Sequence, residues 1–370
     1  MSASARRARS GAAALVLVAG LLAACGSNDS PSVSVEDVTG GQPPKAGEVK
    51  ADVLKGTSVT FVGYGGEVQK SQVATLRGFE KSGATIEQDS PTDPAKLQAQ
   101  VKSGQVSWDM VDVGDSWAAA NCGTLLEKLD DRIIDRSVLP KELQGTECSV
   151  PFVGTGYVLG YDPKKFGDDG PKDWADFFDT EKFPGKRAVN SNDPTTMIEA
   201  ALLADGVAPG ELYPLDFDRA YKKLDTIKKD LVFWSSGAES QQMVEGGQAS
   251  MAMLWSGRAL NAAQNGTEWN TAKKNPMLTY DVYVVPKGSK NSVAAQALIN
   301  YAIGDDLQAR ITEKTGYPAA NLNKEPKLTP LVAKFQVNKA PYTDPIYVDA
   351  EFWADNLAEQ TDRWTTWING

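Results

Sequence analysis

The sequence predicts an α/β chain of two lobes, each a mostly parallel sheet with flanking helices, and three observations carry that prediction. The chain opens its folded part with a strand-helix-strand-helix-strand run, the pattern of a parallel sheet. A second run of alternating strands and helices follows a long extended stretch. About 315 residues lie beyond position 55 of the 370, enough for two lobes of ordinary domain size.

The elements follow in order. Residues 58–62 are β-branched and aromatic and end in Gly63, Gly65 and Gly66, which reads as a strand whose exit loop allows close backbone approach. Val73, Leu76 and Phe79 have helical spacing, 85–88 reads as a strand, and 94–102 as a helix capped by Asp93. Residues 108–113 form the next strand, running into Gly114, Asp115, Ser116 and Trp117. The glycine-spaced stretch 149–161 suits a crossover between lobes. Beyond it, helices are expected at 173–178, 195–204, 218–229 and 240–245, and strands at 185–190, 232–234 and 249–254. Residues 281–285 alternate as a strand, and 293–303 form an amphipathic helix that returns to the first lobe. Trp353, Trp364 and Trp367 in the tail suit the packing of closing helices better than a ligand cage.

Ahead of the folded part, Arg6, Arg7 and Arg9 precede an apolar run at 12–24 that is too short to span a bilayer, the pattern of a signal peptide. It ends in Leu22-Ala23-Ala24-Cys25, which resembles the bacterial lipobox, so Cys25 is the expected lipidation site. Residues 26–55 are rich in Ser, Gly, Pro and Asp and read as a flexible tether. The expected location is the outer face of the cytoplasmic membrane, with the lipid as the anchor.

Composition excludes some functions. The formal charge is -10, and loss of the three leader arginines would take it to -13, so a nucleic-acid partner is not expected. The absence of histidine removes the commonest general base and the Ser-His-Asp and Cys-His arrangements. A carboxylate-dependent hydrolase stays open as a distant alternative. Cys122 and Cys148 are an even pair in an oxidising compartment, with a disulfide the simplest reading and free thiols or metal ligands the alternatives. No cofactor is implied, and a monomer is expected.

Several stretches, in their order, carry a resemblance: Phe183-Pro184-Gly185-Lys186-Arg187, Ala204-Asp205-Gly206-Val207, Leu212-Tyr213-Pro214-Leu215-Asp216, Trp255-Ser256-Gly257-Arg258, 281–288, and Thr315-Gly316-Tyr317-Pro318. In these the chain resembles the ABC-transporter solute-binding proteins of the spermidine and putrescine type. The resemblance implies the two-lobed periplasmic-binding-protein-like fold, a hinge between lobes, a small amine-bearing solute held in the cleft, and an ABC permease as partner. It implies crossings near 151–156, near 279–282 and after Tyr317. Lobe 1 is then 56–152 with about 282–320, and lobe 2 is 153–280 with about 321–370.

By the same resemblance Asp281 matches the acid that holds an ammonium, and Trp255 and Tyr317 match aromatic walls. Tyr64, Asp115 and Trp117 lie at the carboxyl ends of strands, where α/β folds bind ligands. Trp234 with Ser236, and Asn192 with Thr195 at a helix N-terminus, are candidates from the second lobe. Arg258 departs from the polyamine pattern: a guanidinium repels a second ammonium but pairs with a carboxylate. Arg258 with Asp281 would suit a zwitterion such as γ-aminobutyrate, as in some members of the family. The polyamine reading remains the alternative, as does a structural salt bridge for Arg258, with Asp281 a possible partner.

Overall fold

The computed structural model describes residues 33–141 and 143–370. The leader, Cys25 and the first part of the expected tether lie outside these residues. Residues 33–55, expected to belong to the tether, instead lie against the first lobe. They carry helix α1 (Val35–Thr39), Leu54 is 1 % exposed, and Val35, Val38, Val49 and Val53 pack on the same core. Apolar residues this sparse carry no period, so composition alone reads them as linker.

The first wing is built from β1 (Ser58–Val62), α2 (Gly66–Leu76), β2 (Thr85–Asp89), α3 (Pro94–Ser103), β3 (Met110–Gly114) and α4 (Asp115–Ala120). Strand β1 pairs in parallel with both β2 and β3. Asp93 accepts hydrogen bonds from Ala95 and Lys96 amides, Pro94 occupies the first turn of α3, and Gly104 ends it in the left-handed region.

Strand β4 (Ser149–Tyr161) then carries the chain over, all thirteen residues buried, about 43 Å long at strand rise. The second wing holds α5 (Pro163–Phe166), α6 (Trp174–Phe178), β5 (Arg187–Asn190), α7 (Met197–Ala204), α8 (Phe217–Asp225), β6 (Leu231–Trp234), α9 (Gly237–Glu245), β7 (Met251–Trp255) and α10 (Ser256–Gln264). Strand β5 is parallel to β6 and β7. After β8 (Asn270–Thr271), strand β9 (Met277–Val284) returns, followed by α11 (Ser292–Ala302), α12 (Asp305–Thr315), α13 (Pro330–Ala333), β10 (Ile346–Tyr347) and α14 (Ala350–Asn369).

The two parallel wings are not separate sheets. They join through β9 and β4, antiparallel to each other and to β3 and β7, in the order β2-β1-β3-β9-β4-β7-β5-β6. The join is possible because β9 pairs with β3 of the first wing, β4 pairs with β7 of the second, and each is long enough to pair with the other as well. Residues 281–284 of β9 face β3, while 277–278 pair with β10. The β4–β9 register shifts between Pro151 and Val153. A third segment lies alongside, where the Gly154 amide donates to the Pro318 carbonyl and Ala320 to Phe152.

Cores lie on both sides of this crossing. One gathers Val59, Phe61, Phe79, Tyr283, Leu298 and Ile311. Another gathers Phe177, Ile198, Leu224, Met253, Trp353 and Trp364, and there α14 packs on the second wing. Gly156 of β4 is needed for closeness: a Cβ there would lie 2.4 Å from Val337.

Several boundaries differ from expectation, among them the end of α8, at Asp225 rather than 229. Helix α7 begins at Met197 because Thr196 takes φ 68°, off the helical path. Helix α9 begins three residues earlier than expected, at Gly237, capped by Ser236. Strand β9 begins at Met277, since its first half pairs with β4 rather than alternating against one face.

Candidate functional site

The carboxyl ends of β1, β5, β6 and β7, and the start of each following helix, converge on the β4–β9 crossing. Asp281 sits at that crossing, in register with Val153 of β4 and Gly114 of β3. It is half-buried, and its Oδ2 accepts a hydrogen bond from Thr155 at 2.8 Å. Burial pushes the Asp281 carboxyl up to about 7, against the Thr155 bond, and the charge of Asp115 adds to the rise.

Aromatic rings surround it. Tyr64, in the β1–α2 loop, lies 6.3 Å between centroids from Trp255 at the end of β7. Tyr157 of β4 meets the same indole edge-on at 6.4 Å. Tyr64 is 36 % exposed, yet burial and then the Asp281 and Asp112 charges hold its phenol well up. Tyr317 is buried, its hydroxyl 2.7 Å from where a Cβ on Gly257 would stand, and it feels Arg258 and Asp281 together.

Arg258, in the first turn of α10, is 6 % exposed. Among the described residues it makes no ion pair, and its buried Nε has no hydrogen-bond partner. The guanidinium lies between two glycines that open helices. A Cβ on Gly237 of α9 would come 2.6 Å from its Nε, and one on Gly66 of α2 3.3 Å from Nη1. Arg258 therefore touches the opposite lobe, and three helix N-termini add their positive ends to its charge. The hydroxyl of Ser256, fully buried in the same turn of α10, is also unpartnered.

The other residues singled out in the sequence have work elsewhere. Asp115 opens α4 and accepts the Ser116 amide at 2.7 Å and the Tyr280 amide of β9 at 3.2 Å, so it ties α4 to the crossing. Trp117 packs on the far-side core with Val62, Leu97 and Val113. Trp234, 1 % exposed, stands edge-on behind Trp255 and donates to the Met253 carbonyl. The hydroxyl of Ser236 caps α9 at Glu239. Asn192 is exposed and donates to Ser235, and the Thr195 hydroxyl is taken by Asp193. Cys122 and Cys148 are joined as a disulfide with Cα atoms 5.4 Å apart.

Sequence reasoning missed Tyr157, Asp193 and Asp112. Asp193 faces Tyr64 and Tyr157 from the second wing, and burial raises its carboxyl against its bonds to Thr195. Asp112, 2 % exposed, is the charged residue in the apolar run of β3. That interruption was the available signal.

The pattern of the bacterial extracellular solute-binding proteins matches residues 83–335. The chain belongs to that family. A γ-aminobutyric acid-binding protein of Pseudomonas aeruginosa is 31 % identical over 328 residues, 84 % of this chain and 90 % of that protein. The spermidine/putrescine-binding periplasmic protein of Escherichia coli is 23 % identical over 236 residues, 63 % of this chain and 65 % of its own. Among solved structures, a GABA receptor is similar with a TM-score of 0.77 and 39 % identity, covering 84 % of this chain and 98 % of that one. An Agrobacterium tumefaciens R10 binding protein in complex with agropinic acid has a TM-score of 0.75 and 27 % identity, covering 85 % and 99 %. Its family and relatives bind solutes, and this solute-binding protein is not an enzyme. The hydrolase alternative falls with that. Among the described residues, no helix is long and apolar enough to cross a membrane.

Proposed function

We propose that this solute-binding protein captures a small ω-amino acid, with γ-aminobutyrate as the leading candidate, and delivers it to an ABC permease. It would do so as a monomer tethered to the outer face of the cytoplasmic membrane through lipid on Cys25. The lobes would close around the ligand as 56–152 with 282–320 against 153–280 with 321–370. The observation that carries the reading is Arg258: a guanidinium 6 % exposed without an ion pair among the described residues. An unpaired buried charge is costly, so its counter-charge is expected to arrive with the ligand. The ligand carboxylate would take Arg258 in bidentate fashion, helped by the α2, α9 and α10 N-termini. The ammonium would lie on Asp281, with the methylenes between Tyr64, Tyr157 and Trp255. The similarity to a GABA receptor and to a γ-aminobutyric acid-binding protein supports the same reading.

One observation favours a polyamine instead. Asp193 faces the same rings as Asp281 and offers a second acid for a second ammonium. Against it, the Asp193 Oδ1 is already occupied by Thr195, and Arg258 repels a dication.

A thermal-shift and calorimetry screen of the leaderless protein against γ-aminobutyrate, 5-aminovalerate, putrescine, spermidine and the common amino acids tests the proposal. A rise in melting temperature with the ω-amino acids supports it. Shifts from diamines alone contradict it.

A further inference from the structure

A second carboxyl stands behind Asp281. Strand β3 places Asp112 opposite Tyr283 and Gly114 opposite Asp281, so Asp112 and Asp281 are diagonal neighbours on one face, about 7 Å apart. Asp112 is 2 % exposed. Its Oδ2 accepts from Gln72 Nε2 at 2.8 Å, while its Oδ1 and the Gln72 Oε1 are both buried without a partner. The Tyr283 hydroxyl lies beside Gln72, yet neither orphan acceptor takes a hydrogen bond from it; with one hydroxyl for two orphan acceptors a donor is still missing, and a proton on Oδ1 would supply it. Turning the amide over does not remove the need. Oε1 would then stand 2.8 Å from Oδ2, and two acceptors at that distance hold a proton between them. No cation offers an alternative: among the described residues Asp112 has no ion pair, and the titratable groups that face it are Asp281, Tyr64, Tyr283 and Tyr317.

We propose that Asp112, buried against Gln72, is an uncharged carboxylic acid, so that of the two diagonal carboxyls on this face only Asp281 carries charge and the pair offers a place for one ammonium group. This rests on the reading of the cleft as an amine site and goes beyond it, because it makes a buried residue out of ligand reach a determinant of ligand charge. Burial pushes the Asp112 carboxyl up and the neighbouring Asp281 charge adds to it, with the Gln72 bond opposing, in the same direction as the geometry.

Infrared difference spectra of the ligand-free protein at pH 8.5, where Asp281 is ionised, test the proton directly. Asp112→Asn should remove a protonated-carboxyl stretch, and Gln72→Leu should move that stretch to higher frequency, since the acid loses its hydrogen bonds. Circular dichroism identifies a variant that fails to fold, and the other variant then decides. Absence of such a band in the wild-type minus variant spectra overturns the proposal. Calorimetry of γ-aminobutyrate binding at pH 7, in buffers of different ionisation heat, should count less than one proton released per ligand, with none from Asp112. A count above one overturns it. If no ω-amino acid binds, the amine-site reading fails, and the infrared result still decides the state of Asp112.

Discussion

Tyr64 and Trp255 come from opposite wings of the sheet, and their rings meet across the cleft with centroids 6.3 Å apart. A ligand methylene chain or ammonium held there touches both lobes, so the pair links binding to closure. Tyr64→Ala should weaken γ-aminobutyrate binding about 5- to 30-fold, the equivalent of about 1–2 kcal/mol for a desolvated cation on a π face. The melting temperature of the free protein should hardly move, because the side chain is partly exposed on a loop. Trp234→Ala should behave oppositely, losing about 3–5 kcal/mol of stability as a truncated core aromatic. Calorimetry and thermal melts on the two variants separate the wall from its support.

Binding and stability should respond to pH with opposite signs. Asp281 must be ionised to hold an ammonium and titrates near 7. Affinity for γ-aminobutyrate should therefore fall about tenfold from pH 8 to pH 6, by proton competition at one site. The free protein should instead become more stable over the same interval. Asp281, Asp115 at about 6, Asp193 and Glu199 all have folded-state values raised by burial. The folded state thus binds more protons than the unfolded chain between about pH 4 and 7, and its stability falls as pH rises through that window. Melting curves and calorimetry at pH 6, 7 and 8 check both signs.

The Cys122–Cys148 bond links the loop after α4 to the start of β4 and closes a separation of 26 residues. Replacing both cysteines by serine should cost about 3 kcal/mol of stability by releasing that loop in the unfolded chain. Reducing agent should lower the wild-type melting temperature by the same amount and leave the double variant unchanged.

Much of this fold is legible in the sequence because single segments carry their own signals. Strand β4 reads off as 149–161, an apolar run spaced by glycines, and α3 follows from Asp93, Pro94 and Gly104. The continuity of the two sheets is not legible, since it depends on β9 pairing with 149–157 across more than a hundred residues. The site divides in the same way. Arg258 and Asp281 stand in motifs and can be found by position. Asp193 and Tyr157 matter through neighbours that only folding supplies, and Asp112 through the amide of Gln72 forty residues away. Conversely, Asp115, Ser236 and Thr195 lie where ligands are usually bound, yet their oxygens serve backbone amides or a nearby carboxylate.

The most direct test of the central claim is calorimetry of Arg258→Ala with γ-aminobutyrate and with putrescine. Removing one partner of a buried charge pair costs about 2–5 kcal/mol, so γ-aminobutyrate binding should fall by about 30-fold or more while putrescine binds as well as, or better than, it does to the wild type. A folded Arg258→Ala protein that binds γ-aminobutyrate within about threefold of the wild type would contradict the account and return Arg258 to a structural role.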